Sequence, residues 1–400
     1  METLLNLLPD EIQWKKFYDN REASGHLSKN ELASLNSLIL NKRYLPIARG
    51  ILDGTYDFSI PRIARISKGG SSKKRIVYLF EDDEVWVLKF LSFLLHKYDG
   101  LFSDSCYSFR RDQNAKTAVV RILSVPDIDD KYVLKSDIHD YFNSVPVKRM
   151  CDRLKSAISD DPELTGFLCK LLSVDMAYDP ENDILIRGER GVMAGTPIAP
   201  FLANLYLTGM DRYFENENIL YLRYSDDILM FTDTEEEALK CNDILTDMIG
   251  KEGLTINGEK FKLISPGEEW EFLGFKYNRG TIDISDNTKR KIKSKIKRKA
   301  HSVYRWRIKK EVPFEKAAFV MIRSFNAKFY DIKEEGDFSW SKWFFPLINT
   351  TESLKEIDEY LISYIRFLYK GKHYKGNYRI KYKQLKELGF RSLVNEYWSR

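Results

Sequence analysis

Leu220-Tyr221-Leu222-Arg223-Tyr224-Ser225-Asp226-Asp227-Ile228-Leu229-Met230-Phe231 is the stretch on which the fold turns. Two mainly apolar runs flank a polar centre, a pattern that predicts two strands around a tight Ser225-Asp226-Asp227 turn. Adjacent carboxylates repel each other. A folded chain therefore needs a reason to keep Asp226 and Asp227 together at the tip of an apolar hairpin. A bound divalent cation is one such reason. A solvated turn, where aspartate is common, is the other. The fragment alone leaves both open.

Upstream lies Lys135-Ser136-Asp137-Ile138-His139-Asp140-Tyr141-Phe142-Asn143-Ser144-Val145. Tyr132 to Ile138 alternates as a strand does, with Asp137 at its end. If that strand lies beside the hairpin, three carboxylates converge, and such a set can hold two Mg²⁺ ions about 3.5–4 Å apart. Mg²⁺ suits the role because it binds a few carboxylates and substrate phosphates while keeping some of its waters. Between the two fragments runs Arg190-Gly191-Val192-Met193-Ala194-Gly195-Thr196-Pro197-Ile198-Ala199-Pro200-Phe201-Leu202-Ala203-Asn204-Leu205-Tyr206-Leu207. Two glycines and two prolines ahead of a helix suit a backbone that closely approaches a ligand, or an ordinary helix-entry loop.

The rest of the chain frames these pieces. Residues 1–50 read as helical, and residues 60–80 as two extended segments around the polar turn Ser67-Lys68-Gly69-Gly70-Ser71-Ser72. Helix is expected from about Glu81 to Tyr98, through most of 147–172, and from Pro200 to Phe214, where Leu202, Leu205, Tyr206, Met210 and Tyr213 recur at helical spacing. Thr234-Glu235-Glu236-Glu237 reads as a capping box for a helix with Ala238, Cys241, Leu245 and Met248 on one face. Ser353-Leu354-Lys355-Glu356 reads as another, opening a helix with Leu354, Ile357, Leu361, Tyr364 and Leu368 inward. Strand, helices, hairpin, helix and strand in this order predict an α+β layer, a small antiparallel sheet backed by helices. Beyond residue 285 the chain reads as mainly helical.

Composition narrows the class. The 400 residues are 43% hydrophobic and 31% charged, as in a globular protein. No stretch approaches the roughly 20 apolar residues of a membrane span, and Met1 to Asp10 lacks a signal-peptide pattern, so neither a membrane nor a secretory route is expected. Cys106, Cys151, Cys169 and Cys241 make no metal-ligand spacing and read as reduced thiols of a cytoplasmic protein. The net charge of +5 is unevenly spread: Thr281 to Arg400 holds 28 Lys/Arg against 14 Asp/Glu, leaving −9 on the first 280 residues. A basic C-terminal part suggests a polyanion partner, or merely a solvated surface.

Taken together and in this order, the three fragments resemble motifs A, B and C of reverse transcriptases. Gly253-Leu254-Thr255-Ile256-Asn257-Gly258-Glu259-Lys260 resembles motif D, and Phe272-Leu273-Gly274-Phe275 resembles motif E, the primer grip. Lys73-Lys74-Arg75-Ile76-Val77 and Ser105-Cys106-Tyr107-Ser108-Phe109-Arg110 look like the two fingers motifs. The likeness spans about residues 60 to 280. It implies an α+β right-hand polymerase, with a helical extension at 1–60 and fingers at 61–135. The palm would occupy 136–280 (with part of the fingers at roughly 150–190), and a basic helical thumb and C-terminal region 281–400.

The resemblance also implies roles. Asp137, Asp226 and Asp227 look like the metal-binding carboxylates, with the Ile138 carbonyl as a further ligand of two Mg²⁺ ions, Mn²⁺ being the alternative. Phe142 stands where the family places its steric gate against ribonucleotides. Arg75 and Lys74 would bind the incoming triphosphate, with Arg110 either reaching the nucleotide or pairing within the fingers. Gly195 would approach nucleotide and template, and Lys260 would protonate the leaving pyrophosphate. Implied partners are an RNA template, a dedicated non-coding RNA, dNTPs, the DNA product, and a second protein or another copy of the chain.

Several departures matter. Ala194 stands where many bacterial relatives carry Gln, and Ala199 where they often carry Ser. No Cys/His-rich endonuclease region follows, which argues against a group II intron enzyme. Asn114-Ala115-Lys116-Thr117-Ala118 resembles a retron segment in part, but Ala118 replaces its usual His, and no Val-Thr-Gly occurs in the thumb region. The pattern is most similar to defence-associated, abortive-infection reverse transcriptases. The basic run Lys289 to Lys310, with 12 Lys/Arg around Tyr304 and Trp306, suits a phosphate backbone. Trp340, Trp343, Phe344 and Phe345 read as a core anchor or a partner surface.

Overall fold

A computed structural model describes residues 2–25, 27–67, 74–188, 190–330 and 339–400. The expected turn at 67–72, apart from Ser67, and Lys73 lie outside the described residues. The chain forms two compact units, Met1–Glu22 with Leu27–Gly267, and Ala23–His26 with Glu268–Arg400. The fold class is α+β, as expected.

The first unit opens with α1 (Glu11–Ser24), α2 (Lys29–Leu40) and α3 (Tyr44–Leu52). A Ser28–Glu31 capping box starts α2. Trp14, Phe17, Leu35 and Tyr44 bury almost completely. Strands β1 (Arg62–Ser67) and β2 (Lys74–Leu79) form an antiparallel hairpin. There follow α4 (Asp82–Leu95), α5 (Ala115–Leu123), β3 (Tyr132–Asp137), α6 (Tyr141–Ser144), α7 (Val147–Ala157) and α8 (Pro162–Leu172). A hairpin that periodicity did not reveal, β4 (Met176–Asp179) and β5 (Ile184–Arg187), extends the first sheet to the order β2-β1-β4-β5. Its short strands carry Asp179, whose carboxylate takes both guanidinium nitrogens of Arg65 at 2.7 and 2.6 Å.

Next come α9 (Ala199–Asn216), β6 (Leu220–Tyr224), β7 (Asp227–Thr232), α10 (Glu235–Lys251) and β8 (Lys262–Ile264). The expected capping box opens α10: Thr234 Oγ accepts from Glu237 N at 3.1 Å, and Glu237 accepts from Thr234 N at 3.3 Å. Helix α9 is buried around most of its circumference, as its near-continuous apolar sequence requires. The four-stranded sheet β6-β7-β3-β8 is antiparallel throughout.

The second unit begins with a meander, β9 (Trp270–Phe272), β10 (Phe275–Asn278) and β11 (Thr281–Ile284). Helices α11 (Asp286–Lys309), α12 (Phe314–Phe329), α13 (Trp340–Phe344), α14 (Glu352–Phe367), α15 (Tyr382–Glu387) and α16 (Leu393–Trp398) complete it. Ile292, Ile296, Ala300 and Val303 form the buried stripe of α11. Trp340, Phe344 and Phe345 are buried, so the aromatic cluster anchors this unit's own core. One expectation is corrected. Ser353 does not cap α14; the helix starts at Glu352, and Thr351 at its N-cap makes no side-chain bond. Ser353 lies inside the first turn, and its buried hydroxyl donates instead to the carboxylate of Asp283, at 2.7 Å from Oδ2, a bond strengthened by the acceptor's charge.

Candidate active site

Strand pairing brings the carboxylates together. In the β3–β7 ladder Asp137 faces Asp227, and Tyr224 faces Asp227 where the β6–β7 hairpin closes. Ile138 N donates to Asp226 O at 3.1 Å, which ties the end of β3 to the turn. Burial, and then the neighbouring charge of Asp137, pushes the Asp226 carboxyl up. Burial and the charge of Asp226 push Asp227 up to about 6. Three buried or part-buried, mutually repelling carboxylates gather at these strand ends and supply the oxygen donors a hard divalent cation takes, with their oxygens not all within 4.8 Å of one another. Positive charge is already drawn in: Lys260 Nζ lies 2.5 Å from Asp137 Oδ2. Burial lowers the Lys260 pKa, but the bond to Asp137 and the three carboxylate charges outweigh it, and the net shift is upward.

Motif-like residues 253–260 do more than supply Lys260. Asn257 N donates to Asp137 O at 2.7 Å, and His139 N donates to Thr255 O at 2.9 Å. The Asn257 side-chain amide donates to Asp137 Oδ1 at 3.2 Å. Both oxygens of the Asp137 carboxylate are thus oriented from one segment.

Behind the hairpin sits a buried polar network. Arg223 is fully buried; its Nε donates to Asp211 Oδ1 at 2.7 Å and its Nη2 to Asp211 Oδ2 at 2.6 Å. Tyr221 OH shares Oδ1 at 2.8 Å. Burial pulls the Arg223 pKa down, but Asp211 more than offsets this and keeps the guanidinium charged. Its Nη1 donates to Ser225 O at 3.2 Å, while Ser225 N donates to Ser108 Oγ at 2.9 Å. Ser225 has φ +61°, a left-handed conformation that costs a non-glycine residue about 1–3 kcal/mol and persists only when surroundings hold it. These two bonds do the holding. Sequence reasoning gave no role to Arg223, Asp211, Ser108 or Asn257. The available signal was Arg223 itself, a charge inside an apolar strand.

Asp137 and Asp226 open into a cleft of about 1240 Å³ lined also by Lys74, Arg75, Ile138, Phe142, Gly195 and Lys260, among others, while Asp227 is not among its lining residues. The charge of Arg75 reaches Asp226, whereas Lys74 Nζ also pairs at 3.7 Å with Glu181. Phe142 packs edge-on to Phe109, 6.3 Å between centroids. Gly195 has φ +96°, and a Cβ there would sit 2.8 Å from Val77 Cβ. Gly191 is tighter still: at φ +58° a Cβ would meet Phe142 O at 2.2 Å. The loop is locked to its surroundings by Tyr78 N donating to Ala194 O at 2.8 Å and by Ala194 N donating to Asn143 Oδ1 at 3.2 Å. Arg110 is not brought to the cleft. Its guanidinium donates to Ser103 O at 2.8 Å and to both carboxylate oxygens of Asp112 at 3.1 and 3.2 Å, so it pairs within its own loop.

The model of the reverse transcriptase (RNA-dependent DNA polymerase) family matches residues 66–277, just over half of the chain. The chain belongs to the reverse transcriptase family. Its fold is accordingly the α+β right-hand polymerase fold. It is 24% identical over 177 residues to the retron Ec86 reverse transcriptase of Escherichia coli, a match covering 43% of this chain and 51% of that protein. It is 24% identical over 203 residues to the putative COX1/OXI3 intron 2 protein of Saccharomyces cerevisiae, covering 49% of this chain and 23% of that one. The chain thus spans about half the length of the first of these relatives and about a quarter of the second. Among solved structures it resembles apo telomerase from Candida tropicalis (TM-score 0.46, 11% identity, 84% of this chain and 59% of that one). It also resembles Candida albicans telomerase in complex with a telomeric RNA fragment (TM-score 0.43, 13% identity, 86% and 67%). Among the described residues, no helix of this reverse transcriptase family member is long and apolar enough to cross a membrane.

Proposed function

We propose that the chain is an RNA-directed DNA polymerase that joins dNTPs to a 3′-hydroxyl on an RNA template. The observation that carries this reading is the convergence of Asp137, Asp226 and Asp227 at the ends of paired strands. Two Mg²⁺ ions held by these carboxylates and the Ile138 carbonyl would lower the pKa of the 3′-hydroxyl and neutralise the departing pyrophosphate. The hydroxyl gives up its proton to solvent, its oxygen attacks the α-phosphorus in line, inverting it, and the bond to the β,γ-diphosphate breaks. Arg75, assisted by Lys74, binds the triphosphate from the fingers hairpin. Gly195 lets backbone approach the base pair, and Asn257 orients the Asp137 carboxylate. Lys260 Nζ hands its proton to the leaving pyrophosphate, released from Asp137 as positive charge enters the site.

Phe142 acts as the gate under the sugar. Phe142→Ala is expected to raise ribonucleotide use relative to deoxyribonucleotide use on the order of 100-fold, since steric discrimination in a packed pocket reaches that size. Single-nucleotide incorporation with matched dNTP and NTP reads the ratio; an unchanged ratio removes the gate role.

We assign 1–60 to a helical extension, 61–135 with roughly 150–190 to fingers, the remainder of 136–280 to palm, and 281–400 to thumb and C-terminal region. Exposed cations of α11, Lys291, Lys295, Lys297, Arg298 and Lys299, grip phosphates. The double change Lys295→Glu/Lys299→Glu is expected to weaken template–primer binding and to lower its salt slope by about 1 per lost phosphate contact. A titration of affinity against salt checks this.

In the cell, the altered residues Ala194 and Ala199 favour a cytoplasmic antiphage defence role over intron mobility, with a dedicated non-coding RNA as template. A retron-type role is the second reading, favoured by the match to the Escherichia coli retron enzyme. Sequencing the nucleic acid that co-purifies with wild type and with Asp226→Asn/Asp227→Asn tests both. A defined RNA with both proteins and complementary DNA with wild type alone fits the proposal. A structured RNA encoded beside the gene gives the retron-type reading. RNA without carboxylate-dependent DNA leaves only a binding subunit.

A further inference from the structure

Residues 369–386 hold seven Lys/Arg and four tyrosines and no acidic residue. Such a run is ordinarily a solvated face, but here it folds with α14 around a cleft of about 540 Å³, a size usual for ligand sites. Its wall includes Arg366, His373, Lys375, Asn377, Tyr378 and Tyr382, with Glu359 as the one carboxylate among the lining residues. Tyr378 is 65% exposed, and the Arg366 guanidinium stands 5.1 Å from its ring centroid. Arg366 is itself fixed, donating from Nε to Ile380 O at 3.0 Å. Tyr382 is likewise part-exposed, with Lys386 Nζ 5.3 Å from its ring. Two enclosed polar atoms of the lining residues, Tyr374 OH and Asn377 Oδ1, have no hydrogen-bond partner, although Asn377 is held by its amide donating to Lys372 O at 2.8 Å.

We infer that this cleft is a second nucleic-acid site, outside the catalytic cleft, which stacks an unpaired base on Tyr378 and holds the flanking phosphates with Lys375 and its neighbouring cations. Exposed tyrosine faces backed by cations are the platform on which bases of a single strand stack, while a basic groove tracks the backbone. A duplex offers no free base face, so the strand is single. An acidic peptide would use the cations and leave both tyrosine rings idle. All of these residues belong to the C-terminal unit, and the inference requires no metal and no polymerase chemistry. Single-stranded RNA and single-stranded DNA share the recognised chemistry.

The test uses the full chain in EDTA without dNTPs, so that its outcome is independent of polymerase activity. Oligo-U carrying 4-thiouridine and oligo-dT carrying 4-thiothymidine are bound, photocrosslinked and mapped to peptides. The expected crosslink falls on Tyr378 or Tyr382. Tyr378→Ala should abolish it and weaken binding at least about fivefold, whereas Tyr378→Phe should keep both. Lys375→Glu should lower the salt slope by about 1. Tighter binding and stronger crosslinking of oligo-U identify RNA as the occupant, and equal behaviour identifies any single strand. Crosslinks confined to other regions overturn the site, and so does a Tyr378→Ala protein that keeps wild-type affinity and an undiminished crosslink yield on the 369–386 peptide. Competition at this cleft by an acidic peptide but by neither oligonucleotide gives it to a protein partner instead.

Discussion

Asp226→Asn is expected to reduce polymerase activity by on the order of 10³-fold or more, while making the metal-free protein more stable. The two effects share one cause. Asp227 has its carboxyl pushed up to about 6 by burial and by Asp226, against an unfolded value of about 3.9. Between these values the folded state binds more protons than the unfolded one, so its stability falls as pH rises through that window. Above about pH 6 the full repulsion is present. Asparagine at 226 removes one of the charges, so melting in EDTA at pH 8 should shift upward and the pH dependence between about 4 and 6 should flatten. Mg²⁺ should raise the melting temperature of wild type and leave the variant nearly unmoved. An Asp226→Asn protein that melts lower in EDTA, or that keeps wild-type activity, is incompatible with carboxylates held apart from water for a cation.

Arg223→Met should destabilise the first unit by about 3–5 kcal/mol, because it leaves Asp211 buried and unpaired. The guanidinium and carboxylate are both fully buried, 2.6 Å apart at their closest. The same change removes the donor to Ser225 O, so residual folded protein should also lose activity through a displaced turn. Adding Asp211→Leu removes the orphaned charge, and the double variant should recover most of the stability but not the activity. Denaturant unfolding beside primer extension separates the two. A single variant that loses less than about 1 kcal/mol would mean that water reaches the pair, contrary to its burial.

The parts of this architecture that follow from periodicity were legible in the sequence. Alternation across Tyr132 to Ile138 and two apolar runs around the Ser225-Asp226-Asp227 turn identified three strands, and pairing Asp137 with Asp227 needed only that they be adjacent. The capping box at Thr234 was legible because its chemistry is local. Ser353 carried the same local signal and was misread, since its partner Asp283 lies 70 residues away. The same distance problem hid the network behind the turn. Ser108 reaches Ser225 across 117 residues, and Asn257 reaches Asp137 across 120. For Arg110 the resemblance left two roles open, and its bonds to nearby Asp112 and Ser103 O match the pairing within the fingers. Strands β4 and β5, four residues each, were too short for alternation to distinguish from loop.

Primer extension tests the central claim most directly. Purified protein is given a heteropolymeric RNA template of known sequence, an annealed DNA primer, all four dNTPs and Mg²⁺, beside the Asp226→Asn/Asp227→Asn protein, and the products are sequenced. The expected result is DNA complementary to the RNA, made by wild type alone and abolished by EDTA. Complementary DNA of equal yield from the double variant, or none from a wild-type protein that binds the template–primer and Mg²⁺, would contradict a polymerase built on Asp137, Asp226 and Asp227.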